Sequence, residues 1–287
     1  MPRIAYVNGR YVDHRAAAVH VEDRGYQFAD GVYEVIHLFR NRLIDEEPHL
    51  DRLDRSLREL DMAWPMGRAA MRVAMREIVR RNGYATGLLY IQVTRGVAPR
   101  DHKFPQLPMS SLVMTVRPIP EFPDDMREEG VAVVTIDDIR WARRDIKSIS
   151  LLPNVLGKQA AADAGAYEAW MIDADGMVTE GTSSNAWIVN GEGTLVTRPA
   201  DHDILRGITR QAILRMADEL DIAFEERPFS RDEALGAREA FMSNSSHFVT
   251  PVTRIDDNAI ANGRPGSLST ALHERYLDFM KEFQKLN

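Results

Sequence analysis

Cysteine is absent from all 287 residues, which removes disulfides, thiolate zinc sites and cysteine nucleophiles together. Lysine is nearly as scarce, with 5 against 31 arginines. No apolar run approaches the roughly 20 residues that a membrane helix needs. The opening Met1-Pro2-Arg3-Ile4-Ala5-Tyr6 reads as a strand rather than an apolar signal segment. A cytoplasmic protein with no membrane partner is therefore expected. Long runs of positive charge are missing too: the net charge is -7, the pI is near 5.7, and basic residues are interleaved with acids. That balance argues against a nucleic-acid groove. There is no Gly-x-Ser-x-Gly elbow, no P-loop and no His-Glu-x-x-His, and the 8 histidines show no metal-ligand spacing.

What remains is a chain that is 44% hydrophobic and 28% charged, long enough for two cores. Asn8-Gly9 between Ile4–Val7 and Arg10–Val12 signals a type I′ hairpin. Pro48 opens a helix with Leu50, Leu53, Leu57 and Leu60 on one stripe and Arg52 off it. A second helix over 67–81 buries Met71, Met75 and Ile78 and stops at Asn82-Gly83. Strands are expected over 32–39, 88–94 and 111–117. Pro118, Pro120 and Pro123 then form a stiff linker. The expected division is an N-terminal α/β domain over 1–117, a proline-rich linker over 118–123 and a C-terminal α/β domain over 124–287. In the latter, strands are expected over 131–136, 169–172 and 185–189, and helices over 154–164 and 209–220. Ser230-Arg231-Asp232-Glu233 reads as a capping box, and a last helix over 267–283 carries Leu268, Leu272, Tyr276, Phe279 and Phe283 on one face. The fold class is α/β (α+β).

The scarcity of lysine makes its chemistry tractable. Lys281 and Lys285 lie on the polar side of the last helix, Lys158 lies within a helical stretch, and Lys103 follows Arg100-Asp101-His102 in a loop. Lys147 differs, because Arg140, Arg143 and Arg144 precede it. Cationic neighbours favour the neutral amine that a Schiff base requires. Downstream, Glu180-Gly181-Thr182-Ser183-Ser184-Asn185 sets an acid before a hydroxyl-rich turn that includes Ser183. A lysine, an acid and phosphate-type donors are the parts of a pyridoxal phosphate site. Gly207-Ile208-Thr209 opens a helix whose amides and dipole suit an anion. Taken singly, each feature also has an ordinary reading as a surface lysine, a strand end or a helix start.

The ordered set is more specific. Glu22 to Val35, His49-Leu50-Asp51-Arg52-Leu53, Val93-Thr94-Arg95-Gly96, Lys147, Glu180 to Asn185 and Gly207-Ile208-Thr209-Arg210 follow one another across most of the chain. Together they resemble the class IV aminotransferases, the fold-type IV pyridoxal phosphate enzymes, and most nearly those acting on D-amino acids. The resemblance implies a two-domain fold with the cofactor between the domains, and a homodimer. It implies Lys147 as the covalent anchor and proton carrier, Glu180 as partner of the pyridine nitrogen, and phosphate contacts from Arg52, Ile208, Thr209 and Ser245. Asn244 and His247 depart from the family pattern beside Ser245. Arg100 and His102 resemble the Arg-x-His pair that holds the substrate α-carboxylate from the neighbouring subunit, with Tyr33 as a third donor. The implied substrates are a D-amino acid, of the D-alanine or D-glutamate type, and a 2-oxo acid such as 2-oxoglutarate or pyruvate. Branched-chain L-amino acid aminotransferases, (R)-amine aminotransferases and 4-amino-4-deoxychorismate lyases are the alternatives within the same fold type. A non-catalytic protein on the same scaffold is opposed by the intact Lys147 and Glu180.

Overall fold

The computed structural model describes residues 3–120 and 124–282, and the chain forms two compact units. The first comprises Met1–Pro120 together with Ile146–Ser150. Its strands are β1 (Ile4–Val7), β2 (Arg10–Asp13), β3 (Gly31–Phe39), β4 (Arg42–Leu43), β5 (Gly87–Thr94) and β6 (Ser111–Arg117). They make one antiparallel sheet in the order β2-β1-β6-β5-β3-β4. Asn8 and Gly9 both take positive φ, 46° and 88°, as a two-residue turn between right-twisted strands demands. Three helices accompany the sheet: α1 (Arg24–Phe28), α2 (Glu46–Glu59) and α3 (Arg68–Asn82). Leu50, Leu53 and Leu57 of α2 join Met71, Met75 and Ile78 of α3 in one core with Ile36, Leu38, Leu89, Ile91 and Met114. Each such side chain contributes roughly 1.5–3 kcal/mol on burial. The second helix ends where expected, with Gly83 left-handed at φ 68°.

The lysine strap was expected to belong to the C-terminal domain, yet Ile146–Ser150 packs with the first unit. Backbone hydrogen bonding explains this. Tyr33 N–H donates to the Lys147 carbonyl at 2.9 Å, Ile149 N–H donates to Gly31 at 3.0 Å, and Ser148 bridges Val32. Ile146 fills the core below. The division between the units falls after Pro120; of the expected linker, residues 121–123 lie outside the described ones.

The second unit comprises Glu121–Asp145 and Leu151–Asn287. Its strands are β7 (Val131–Asp137), β8 (Glu168–Ile172), β9 (Val178–Gly181), β10 (Asn185–Val189), β11 (Leu195–Thr197), β12 (Phe224–Glu226), β13 (Glu239–Asn244), β14 (Phe248–Ile255) and β15 (Asn258–Ala259). The sheet order is β12-β11-β10-β13-β14-β7-β8-β9, with β15 on β14. It is a mixed sheet, parallel at β11–β12, β14–β7 and β7–β8. Helices α4 (Asp124–Glu128), α5 (Leu152–Asp163), α6 (Ile208–Glu219), α7 (Arg231–Leu235) and α8 (Ser267–Glu282) surround it. Trp170, Phe229, Ile188 and Met242 lie in its core. Ser230 caps α7 by accepting from Glu233 N–H, but the Glu233 carboxylate turns to Arg227, so only half of the capping box forms. The buried face of α8 is also rotated from the expected stripe. It presents Ser269, Leu272, His273, Tyr276 and Met280, while Leu268 and Phe279 are half-buried and Phe283 lies outside the described residues. Ser269 N–H and the His273 ring find partners in Glu239 and the Val249 carbonyl, which lets polar residues occupy that seam.

Candidate active site

Alternation along β3 sorts its residues onto two faces. Glu34 points inward and is fully buried, where it meets one turn of α2. His49 Nδ1 lies 2.8 Å from Glu34 Oε2, and Arg52 donates through Nε and Nη2, each at 2.7 Å. Arg52, expected off the helix's buried stripe, is therefore buried. The reason is its fork-to-carboxylate pairing, which offsets the desolvation of both charges. Burial pushes the Glu34 carboxyl up, but Arg52 and then His49 bring it down to about 2. Burial pushes His49 down, and because an ionised carboxylate can only accept, Nδ1 carries the hydrogen toward Glu34. Glu34→Gln should strand the buried Arg52 charge and lower stability by about 3–5 kcal/mol, as read by denaturant unfolding. The stability difference from wild type should be fully present above the ordinary pKa of 4.5 and fade as pH falls toward about 2. A loss under about 1 kcal/mol, typical of exposed pairs, would refute the burial argument.

Tyr33 occupies the opposite face of β3, and the Lys147 amine lies 4.3 Å from its ring centroid. The Tyr33 ring is 5.7 Å from that of Tyr90, whose phenol is pushed up to about 12 by burial and by Tyr33. Lys147 is half-buried. The arginines that precede it are not bare cations, contrary to the argument from sequence. Arg143 pairs with Asp145, Arg144 with Asp138 and Asp203, and Arg140 with Asp138 and Glu180.

Arg100 and His102 sit exposed on the loop after β5, both against one aromatic ring. The Arg100 guanidinium lies 4.6 Å from the Phe28 centroid, and the His102 ring 5.3 Å. Arg24 props this loop from α1: Nη1 donates to the Asp101 carbonyl at 2.6 Å, while Nε holds Asp30 at 2.8 Å. Burial pushes Asp30 up, but Arg95 and Arg24 outweigh it and hold the carboxyl below the usual range. Arg24 stands within the motif Glu22 to Val35, yet its supporting role depends on Asp101, 77 positions away.

In the second unit Glu180 belongs to strand β9, directly before the hydroxyl-rich turn. Its carboxylate receives Arg140 Nη1 at 2.5 Å, Asn185 Nδ2 at 2.9 Å and the Leu205 amide at 3.1 Å. Ser183 is exposed, and its hydroxyl donates to the buried Glu168 at 2.8 Å; Thr182 donates to the same carboxylate. Ile208 and Thr209 open α6 and are buried, and no side chain caps that terminus. Gly207 is required there, since an added Cβ would lie 2.1 Å from Asn185 Oδ1. Ser245 stands in the turn between β13 and β14. Asn244 Oδ1 accepts from Ser246 N–H and His247 N–H, both at 2.9 Å, so the unusual Asn244 shapes that turn, and His247 bonds Tyr167 at 3.1 Å. Asp138 and Glu168 went unnoticed in the sequence because an isolated charge carries no periodicity, while Arg140 and Asn185 stood out there only as a neighbour of Lys147 and as the end of the Glu180 motif.

The donor set fits pyridoxal phosphate in chemistry. A buried, uncapped helix start suits a phosphate, a carboxylate on β9 paired with a guanidinium suits a ring N–H, and Lys147 offers an amine. Among the described residues no helix is long and apolar enough to cross a membrane. A profile of the family Amino-transferase class IV matches residues 31–255. The D-alanine aminotransferase of Bacillus licheniformis is 41% identical over 262 residues, covering 91% of this chain and 92% of the relative. Among solved structures, the branched-chain amino acid aminotransferase of Escherichia coli superposes with a TM-score of 0.91 at 23% identity, covering 97% and 94% of the two chains. A second branched-chain amino acid aminotransferase, from T.th. and solved with pyridoxamine 5′-phosphate, gives 0.89 at 25%, with the same coverage.

Proposed function

Because the chain belongs to the class IV aminotransferases, we propose that it moves the amino group of a D-amino acid, of the D-alanine or D-glutamate type, to a 2-oxo acid such as 2-oxoglutarate or pyruvate. The observation that carries this reading is the near full-length similarity to D-alanine aminotransferases, at 36% to 41% identity. The chain is a pyridoxal phosphate-dependent transaminase. Bound pyridoxal phosphate supplies an aldehyde for the incoming amine and a ring that takes up the electron pair left at Cα.

The chain's own residues do the rest. Lys147 holds the cofactor and carries the proton between Cα and the cofactor carbon. Glu180 accepts the ring N–H, and Arg140, Asn185 and the Leu205 amide keep its carboxylate ionised and aimed. Ile208 and Thr209 receive the phosphate on the α6 amides, with Arg52, Ser245 and Ser183 as further contacts. Arg100, His102 and Tyr33 bind the substrate α-carboxylate. Homodimer assembly and a cytoplasmic location belong to the same proposal. For the dimer, Leu107 and Met109, 90% and 84% exposed, extend the loop that carries Arg100 and His102, an apolar surface that suits a second copy.

Half-reactions of the purified holoenzyme with a panel of D- and L-amino acids and one chiral amine test the reading. D-alanine or D-glutamate should react much faster than the L-enantiomers. Faster reaction with L-leucine or L-valine would replace it with the branched-chain activity, and release of pyruvate from aminodeoxychorismate with the lyase.

A further inference from the structure

Glu180 ends a buried chain of alternating charges within the second unit. Behind its pair with Arg140, the same guanidinium is gripped by Asp138, Nε to Oδ1 at 2.9 Å and Nη2 to Oδ2 at 2.7 Å. Asp138 also accepts from the Thr179 hydroxyl at 2.7 Å and forms an ion pair with Arg144, whose Nε lies 3.2 Å away. Arg144 reaches Asp203 at 2.9 Å, Asp203 meets Arg198 at 2.6 Å, and Arg198 holds Asp173 at 2.7 Å. The Asp138 side chain is fully buried and that of Arg140 nearly so, whereas the Asp203 side chain is 39% exposed. The chain therefore leads from Glu180 out to solvent.

Such an arrangement is costly merely to fix one carboxylate. Apolar packing would stabilise at least as well as buried ion pairs. A carboxylate serving a ring nitrogen has a stricter requirement: it must stay ionised, keep one orientation, and have a proton affinity that leaves the proton on the ring. Arg140 supplies the first two through a planar fork with little freedom. It also lowers the basicity of Glu180, and Asp138 limits that effect by balancing the Arg140 charge.

We propose that Arg140 is a positioning residue that acts through Glu180 to set the proton affinity felt at the cofactor ring nitrogen, and that Asp138 moderates Arg140. The proposal rests on Glu180 pairing with that nitrogen. The protonation states agree with it. Burial disfavours charge on Arg140, but Glu180 and Asp138 overcome this and raise its pKa above the ordinary value. Burial pushes Asp138 up, yet Arg140 and Thr179 hold it down at about 2. Facing Glu180 are Arg140, Asn185 and the Leu205 amide; facing Asp138 are Arg140, Arg144 and Thr179.

The test is a pH titration of the visible absorbance of the bound cofactor in wild type, Arg140→Gln, Arg140→Lys, Asp138→Asn and Glu180→Gln holoenzymes. Arg140→Gln removes the cation beside a buried carboxylate, so the acid-side midpoint should rise by on the order of one unit or more. Arg140→Lys should restore part of the shift. Asp138→Asn, which leaves the Arg140 charge unbalanced, should move the midpoint the other way. The acid limb of kcat should follow these shifts while KM for the amino acid stays near wild type. A purely structural role would lower melting temperatures and leave every midpoint in place, which would overturn the proposal. If Arg140→Gln fails to fold, Arg140→Lys and Asp138→Asn decide alone: opposite displacements support the proposal and unmoved midpoints defeat it. A spectrum indifferent to Glu180→Gln would instead remove the Glu180 assignment, and this inference with it. A response to Glu180→Gln but not to Arg140→Gln would overturn this inference only.

Discussion

Borohydride reduction of the holoenzyme should fix the cofactor on Lys147 and on no other lysine, and Lys147→Ala should lose turnover by about 10⁴-fold or more. The other lysines among the described residues are placed for other work. Lys103 is exposed beside the Arg100 loop, Lys158 bonds the Tyr167 carbonyl and approaches Glu168, and Lys281 pairs with Asp278. The Lys147 carbonyl accepts from Tyr33 N–H, and two residues on, Ile149 N–H donates to Gly31, so the amine starts from a fixed root beside the Tyr33 ring. Fixing a reacting group before the reaction removes much of its entropic cost. The alanine variant loses both the covalent anchor and the proton carrier, yet it keeps the phosphate donors at the start of α6. It should therefore retain some cofactor on dialysis while turnover collapses. Peptide mapping of the reduced protein checks the assignment: an adduct on Lys103 or Lys158 would refute it, as would a Lys147→Ala enzyme that still turns over within tenfold of wild type.

Features written in local chemistry were legible in the sequence. Asn8-Gly9 specified its turn because few residues accept two consecutive positive φ values. Gly83 marked the end of α3 for a related reason, and the leucines of α2 fell on the buried stripe that their spacing implied. Glu180 and Lys147 stood out as candidates because one lies in a distinctive motif and the other among very few lysines. Lost were the features that depend on distant partners. Arg52 reads as an off-stripe helix residue until Glu34, 18 positions away, is seen to be buried against it. The rotation of α8 depends on Glu239 and Val249 accepting hydrogen bonds from polar residues in its seam. The strap around Lys147 crosses to the first unit through backbone bonds that no side-chain pattern encodes.

The surplus of arginine also becomes intelligible. Arg24, Arg52, Arg95, Arg140 and Arg198 each engage carboxylates while mostly withdrawn from water. A guanidinium supplies several donors in a fixed plane and stays charged when buried, which an ammonium does less readily. Lysine in their place would lose the two-point pairing of Arg52 with Glu34 and of Arg140 with Asp138.

Arg100→Ala should separate carboxylate recognition from amine chemistry. With its charge partner removed, the substrate α-carboxylate loses about 2–5 kcal/mol of binding in the reacting complex, by analogy with truncating a buried charge pair. That corresponds to roughly 30-fold to several thousand-fold in kcat/KM for D-alanine or D-glutamate. The lower end is favoured if water replaces the guanidinium, because the loop is exposed at this residue. A chiral amine without a carboxylate has nothing to lose at Arg100 and should react within a few-fold of its wild-type rate. His102→Ala should act in the same direction but more weakly, since an imidazole ring offers fewer donors than a guanidinium. The loop itself should survive both changes, because Arg24 supports it through the Asp101 carbonyl and Phe28 remains beneath it. Enantiomer preference supplies the second arm: an anchored carboxylate fixes which Cα hydrogen points at Lys147, so Arg100→Ala should also narrow the gap between D- and L-alanine. Parallel losses for the amine and the amino acid, with the D to L ratio unchanged, would show that Arg100 does not hold the carboxylate.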